Sequence, residues 1–247
     1  MWGALMPKYF FTPDQKTNDL ITLSGETAHH LLHVLRMSPG EKVILCDGAE
    51  TDYMTVIEET NPKKPLIICR TESSTPSLSE PLTKIVLYQG LPKADKLEFI
   101  IQKCVELGVN EIIPVATSRS VVRIKGDKKT ARYQRIAESA AGQSMRGIIP
   151  KVSDAIFFEG AVKRLDKTHL TLVAYETEKT CTLKEVLSQS SNKHINIWIG
   201  PEGGFTEEEI STLTEHGAIP ITLGERILRT ETAAIATVAQ ILCLTEG

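Results

Sequence analysis

Apolar and polar positions along the chain change period once, near residue 72. Before it, short runs with strand spacing, Tyr9 to Thr12, Leu20 to Leu23, Lys42 to Cys46, Tyr53 to Glu58 and Leu66 to Arg70, predict a small β-rich module. Asp47-Gly48 marks a turn between two of these strands. One helix is predicted over Glu26 to Arg36 and ends at the Ser38-Pro39-Gly40 break. The stretch 72–83 is polar, carries two prolines and has neither period, so it reads as a linker. Thereafter strand and helix alternate: Ile85 to Gln89, Ala94 to Leu107, Glu111 to Val115, Lys129 to Met145, His169 to Tyr175, then a helix from Thr182 capped by Glu185. An apolar strand from Ile195, a second from Ala218 to Leu223 and an Ala-rich helix from Thr230 to about Leu244 close the pattern. Such alternation predicts an α/β fold, a largely parallel sheet with helices on both faces. The expected domains are 1–72, a linker over 73–83, and 84–247, with no internal repeat.

Two strand-to-helix loops concentrate the candidate chemistry. The first, Gly200-Pro201-Glu202-Gly203-Gly204, follows a buried strand and leads into an acidic helix, where Thr206 and Glu209 form a capping box. Three glycines and a proline in five positions allow a sharp turn and a close approach of bare peptide groups to a ligand, at the strand end where open α/β sheets bind. The loop matches neither the GxxxxGK[ST] phosphate loop nor a GxGxxG with an acidic residue about twenty positions on, which weighs against nucleoside triphosphates and dinucleotides. In the second loop Gly224 breaks the strand, and Arg226, Arg229 and Glu231 stand between it and the last helix. Those arginines either cap a strand end or face a ligand; two such loops in succession favour the ligand.

Composition narrows the class. With 41% hydrophobic and 24% charged residues the chain has the balance of a globular protein, without a long uncharged apolar stretch for a membrane span or an apolar leader. Five scattered cysteines without a CxxC fit a reduced cytoplasm. Net charge is −3, yet Thr117 to Lys151 holds nine basic residues against two acidic ones, a local +7 that leaves −10 elsewhere. A one-signed run with arginines beside apolar residues favours a phosphate-contacting surface over a solvated helix face. His29 and His33 stand one helical turn apart, but no acidic or cysteine partner is arranged to complete a metal site, and no metal is expected.

The strings GPEGGFTEEEI and LGERILRTETAA, with LPKADKLEFIIQKCVELGVNEIIPVATSRSVV and RYQRIAESAAGQSMRGIIPKV upstream, closely resemble the SPOUT class of methyltransferases, and within it the RsmE family of 16S ribosomal RNA uridine N3-methyltransferases. The departures are Glu225, where relatives often have proline in a Gly-Pro-Arg, and Lys8, where an arginine is common. The resemblance implies a deep trefoil knot in the C-terminal domain, a small N-terminal PUA-like β-barrel that binds RNA, a homodimer through the knot region, and S-adenosylmethionine as methyl donor. It implies a donor site built from Tyr175, Glu176, Ile199, Gly200, Pro201, Glu202, Gly203, Gly204, Leu223, Gly224, Ile227, Leu228, Thr230 and Ala233. Arg229, Glu231 and Arg226 become the expected catalytic residues: Arg229 stabilising charge on the uracil carbonyls, and Glu231 either accepting the N3 proton or orienting Arg229. Expected RNA contacts are Lys8, Arg36, Lys93, Lys96, Arg119, Arg123, Lys128, Arg132 and Arg146, on 16S rRNA of the small subunit. Two other readings stay open: a non-catalytic RNA-binding protein on a degenerate α/β domain, and a methyltransferase of the same class acting on transfer RNA.

Overall fold

The computed structural model describes residues 8–121 and 128–246, with Lys128 through its backbone alone. It divides into two compact units, Met1–Glu80 with Ala141–Ile149, and Pro81–Ala140 with Pro150–Gly247.

The first unit is a six-stranded sheet in the order β1-β4-β5-β6-β3-β2, with β1 (Lys8–Phe10), β2 (Lys16–Thr17), β3 (Leu20–Ser24), β4 (Lys42–Cys46), β5 (Thr51–Asn61) and β6 (Leu66–Pro76). β1 runs parallel to β4; the other pairings are antiparallel. Every second residue turns inward, so Ile21, Leu23, Val43, Leu45, Ile57, Ile67 and Cys69 meet Leu31 in one apolar core. The Asp47-Gly48 turn forms as expected: Gly48 takes φ +71°, and the Asp47 carboxylate accepts from the N–H groups of Ala49 and Thr51. Where one helix was expected over Glu26 to Arg36, α1 (Gly25–His29) widens into a π-helical stretch, His30–Val34, in which Leu35 N–H reaches His30 O at 3.0 Å.

Two expectations about organisation change. The polar stretch after Glu72 is in part strand, because β6 continues to Pro76 and pairs Ser73 to Pro76 with β5. These residues are exposed, so backbone pairing alone holds them and no apolar alternation marks them. The second departure is that the chain returns to the first unit at Ala141–Ile149. There Arg146 is 2% exposed, and its guanidinium makes a bidentate pair with Glu80 (Nε–Oε1 3.1 Å, Nη2–Oε2 2.6 Å). The same carboxylate accepts from the N–H groups of Gly147 and Ile148.

In the second unit the strands β7 (Lys84–Gly90), β8 (Glu111–Ala116), β9 (Lys151–Val152), β10 (Ile156–Phe157), β11 (Leu170–Ala174), β12 (His194–Ile199) and β13 (Ile219–Ile221) are all parallel. Their order is β10-β8-β7-β12-β11-β13, and β9 also pairs with β8. Between them run α2 (Lys96–Leu107), α3 (Lys128–Gln143), α4 (Phe158–Val162), α5 (Leu183–Ser188), α6 (Glu207–Glu215) and, last, α7 (Thr230–Glu246). One sheet face buries Tyr88, Val115, Val173 and Trp198 against Phe158 of α4 and Leu213 of α6, with the Tyr88 and Trp198 rings stacked at 4.5 Å. α7 packs on β7, β12, α2 and α5. The capping boxes at Thr182/Glu185 and Thr206/Glu209 both form. Strands β9 and β10, two residues each, and the five-residue α4 are too short for a periodic pattern and were not expected.

Candidate active site

Strand order creates the site. β12 and β13 lie on opposite sides of β11, so the loops leaving their carboxyl ends face each other across the end of β11. Between them is a cleft of about 400 Å³, walled by Ala174, Tyr175 and Glu176 after β11, floored by Ile199 to Gly204 after β12, and closed by Thr222 to Thr230 and Ala233. All fourteen residues expected in the donor site line it, as do Arg226 and Arg229. Lys179, Ala174, Thr222 and Glu225 line it too and were not expected. Thr222 and Glu225 flank expected positions in the same loop and could have been read from that; Lys179, four residues past Tyr175, carries no such signal.

The glycines at the floor are there for space. Gly204 adopts φ +67°, and a Cβ on it would come within 2.5 Å of a Glu176 carboxylate oxygen. At Gly200 a Cβ would press on the Gly204 backbone at 3.1 Å. The two loops are locked by Thr230, buried at the start of α7: its hydroxyl donates to Gly200 O at 2.6 Å and accepts from the Gln89 amide at 3.0 Å. Gln89 is fully buried, a polar residue directly after the run Ile85 to Tyr88, and that contrast was the available sequence signal for it.

Charge is distributed unevenly around the cleft. Arg229 holds the helix start with its backbone, its carbonyl accepting from Ala233 N–H at 2.8 Å. Its side chain and that of Arg226 are exposed, and among the described residues neither has a hydrogen-bond or ion-pair partner. Glu231 does not line the cleft and is not paired with Arg229. Its carboxylate lies 3.4 Å from Lys96 Nζ, which also sits 2.9 Å from Glu202. Burial pushes the Glu202 carboxyl up, but Lys96 and the Lys93 N–H outweigh it and hold the group below its usual value. Lys96 in turn is raised, first by its bond to Glu202 and then, against some desolvation, by Glu231. Lys96, expected on RNA, is thus the counter-ion of two carboxylates beside the cleft.

The other expected RNA contacts scatter. Lys8 and Arg146 are corrected: both are buried, at 4% and 2%, and serve as internal ion-pair partners of Asp52 and Glu80, so neither offers its charge to a phosphate. Arg36 and Lys93 are exposed, and Arg132 is exposed with its guanidinium 2.8 Å from Glu98. Arg119 donates from Nη1 to the carbonyls of Gly203 and Phe205 at the cleft floor. Arg123 and the Lys128 side chain lie outside the described residues.

Comparison with known proteins agrees with this geometry. An RNA methyltransferase domain family matches residues 79–242, and an RNA methyltransferase PUA domain family matches 23–68. The ribosomal RNA small subunit methyltransferase E of Bacillus subtilis is 36% identical over 233 residues, covering 91% of this chain and 90% of that protein; the Mesomycoplasma hyopneumoniae protein of the same name is 32% identical over 92% and 96%. A crystal structure of the Neisseria gonorrhoeae ribosomal RNA small subunit methyltransferase E bound to S-adenosyl methionine superposes with a TM-score of 0.89 at 30% identity, covering 97% of this chain and 98% of that one. A parallel sheet whose β11, β12 and β13 loops wall a glycine-floored cleft, matched over nearly its whole length by these proteins, places the chain in the ribosomal RNA small subunit methyltransferase E family.

Proposed function

We propose that the protein transfers a methyl group from S-adenosylmethionine to N3 of one uridine in 16S rRNA of the small subunit. The observation that carries this reading is the cleft itself: backbone-rich, floored by glycines, and rimmed by two arginines with no partner among the described residues. Its fit to the donor is supported by the close packing at Gly200 and Gly204, which leaves no room for a side chain and keeps the floor's peptide groups bare, and by the cofactor bound to the Neisseria gonorrhoeae and Legionella pneumophila relatives. When bound, S-adenosylmethionine supplies an electrophilic methyl carbon. The chain then has to hold the base in line and stabilise the charge that develops as N3 loses its proton.

Arg229 takes the second task. It cannot act as a base, but its planar fork suits a uracil carbonyl edge, and among the described residues no carboxylate pairs with it. Arg226, on the same rim, assists with the phosphate or the second carbonyl. Because its carboxylate pairs with Lys96 and does not line the cleft, Glu231 is read as accepting the N3 proton through water rather than as the support of Arg229. The larger share of rate enhancement is assigned to Arg229, which lines the cleft while Glu231 does not. Arg36, Lys93 and Arg132 are offered as phosphate contacts, with Arg123 and Lys128 in the basic run. α7 keeps Ile235, Ala236, Ala239 and Leu242 half-buried and Leu244 exposed, which supports a homodimer through this helix. The Thr230 to Gly200 lock is what a knotted chain would need to hold its two loops together. A cytoplasmic location follows from the substrate.

The test is transfer of labelled methyl groups to RNA from a strain lacking the activity. Label in 16S rRNA of assembled small subunits is expected; label in transfer RNA instead, or none, would overturn the proposal.

A further inference from the structure

Besides the strand-end loops, the segment after β8 also reaches the cleft floor. Ser118 N–H donates to Glu209 Oε1 at 2.8 Å, on the carboxylate that completes the capping box of α6. Next to it, a single guanidinium nitrogen of Arg119 donates to Gly203 O at 2.8 Å and Phe205 O at 3.1 Å. Those two carbonyls flank Gly204, the floor residue with positive φ. Gly203 also packs on the arginine stem, since a Cβ there would stand 3.0 Å from Arg119 Cβ. The turn is therefore gripped at both ends by a charged donor, and charge-assisted bonds of this kind are about twice as strong as neutral ones.

From this geometry we infer that Arg119 is a positioning residue of the methyl-donor cleft and not a phosphate ligand: it holds Gly203 to Phe205 in the shape that the cofactor requires. The inference deepens the proposed function and rests on it. It also separates Arg119 from the rest of the basic run, whose one-signed charge otherwise points to RNA.

Arg119→Ala and Arg119→Lys in the full-length protein test it, by calorimetric titration with S-adenosylmethionine and by RNA binding across a salt series. Lysine keeps the charge and most of the stem but ends one bond short of the Nη1 position that makes both contacts, so it carries the test even if alanine fails to fold. In both variants the dissociation constant for S-adenosylmethionine is expected to rise roughly tenfold or more, the usual scale for losing bonds from a charged donor. The loss falls on KM for the cofactor rather than on kcat, and the slope of log affinity against log salt stays that of the wild type. Unchanged cofactor affinity in Arg119→Lys would overturn the inference. So would a salt slope in Arg119→Ala shallower by about 0.7 to 0.9, the signature of one lost phosphate contact. Wild-type protein that does not bind S-adenosylmethionine would instead overturn the function on which the inference rests, and is recognised before any variant is measured.

Discussion

Two pairs of basic side chains, one in each unit, are used in opposite ways. In the first, Lys8 and Arg146 are buried and satisfied: Lys8 by Asp52, Ser77 and the Met145 carbonyl, Arg146 by Glu80. In the second, Arg226 and Arg229 stand exposed on the rim of a cleft with no partner among the described residues. A buried charge must be paired because desolvation is otherwise ruinous, whereas an exposed arginine beside a concave site keeps all five donors for a ligand. Arginine alone therefore says little about function; what it touches decides whether it holds the fold or meets a substrate.

The sharpest way to break that contrast is Arg146→Ala. It should strand the Glu80 carboxylate and lower unfolding free energy by about 3–5 kcal/mol, read by denaturant titration. Acid should act on the same pair. Burial pushes Glu80 up, but Arg146 and the Gly147 and Ile148 N–H groups together leave it below its usual 4.5. A depressed folded-state pKa gives stability that is fully present above 4.5 and is lost as pH falls through the lower folded value. The wild type should therefore lose stability over that acid range, and Arg146→Ala should lose less of it.

On the cleft side the corresponding change is kinetic. Arg229→Ala should leave the unfolding midpoint nearly unchanged while slowing single-turnover methyl transfer at saturating cofactor by roughly a hundredfold or more. Arg229→Lys should recover part of the rate. A variant with normal transfer but weakened RNA or cofactor binding would move the charge-stabilising role to Arg226. Smaller again is Gly204→Ala, which forces a side chain into a left-handed conformation at about 1–2 kcal/mol and crowds Glu176. Its expected reading is an S-adenosylmethionine affinity weaker by roughly tenfold, with RNA affinity intact. The smallest effect is predicted for Arg132→Gln, whose exposed pair with Glu98 contributes at most about 1 kcal/mol to stability. If it contacts phosphate, RNA affinity falls and the salt slope flattens by about 0.7 to 0.9, whereas an unchanged slope assigns it to the fold.

Both glycine loops could be read in the sequence because their chemistry is local: a strand, a turn at a glycine with positive φ, and a helix start within a dozen residues. The longer strands and α2, α3 and α7 were legible for the same reason, each repeating its period often enough to be counted. What failed was decided at long range. Nothing near Arg146 marks it as internal, since its partner Glu80 lies 66 positions away. Likewise Arg119 sits in a basic run by sequence and meets Gly203, 84 positions on, only in the fold. The strand at Ser73 to Pro76 was hidden because exposed polar residues pair through backbone alone, and the π-helical stretch at His30–Val34 keeps the helix's apolar spacing while changing its hydrogen bonds.

Placement of the methyl group on N3 of a small-subunit uridine can be read by primer extension on 16S rRNA, because a methyl at N3 occupies the pairing edge and halts reverse transcription. Small subunits from a strain lacking the modification, treated with the protein and S-adenosylmethionine, should give one new stop at a uridine, absent without the cofactor and nearly absent with Arg229→Ala. Methyl incorporation without any stop would place the group elsewhere, on a ribose hydroxyl or a base edge that does not pair, and would overturn the assignment to N3.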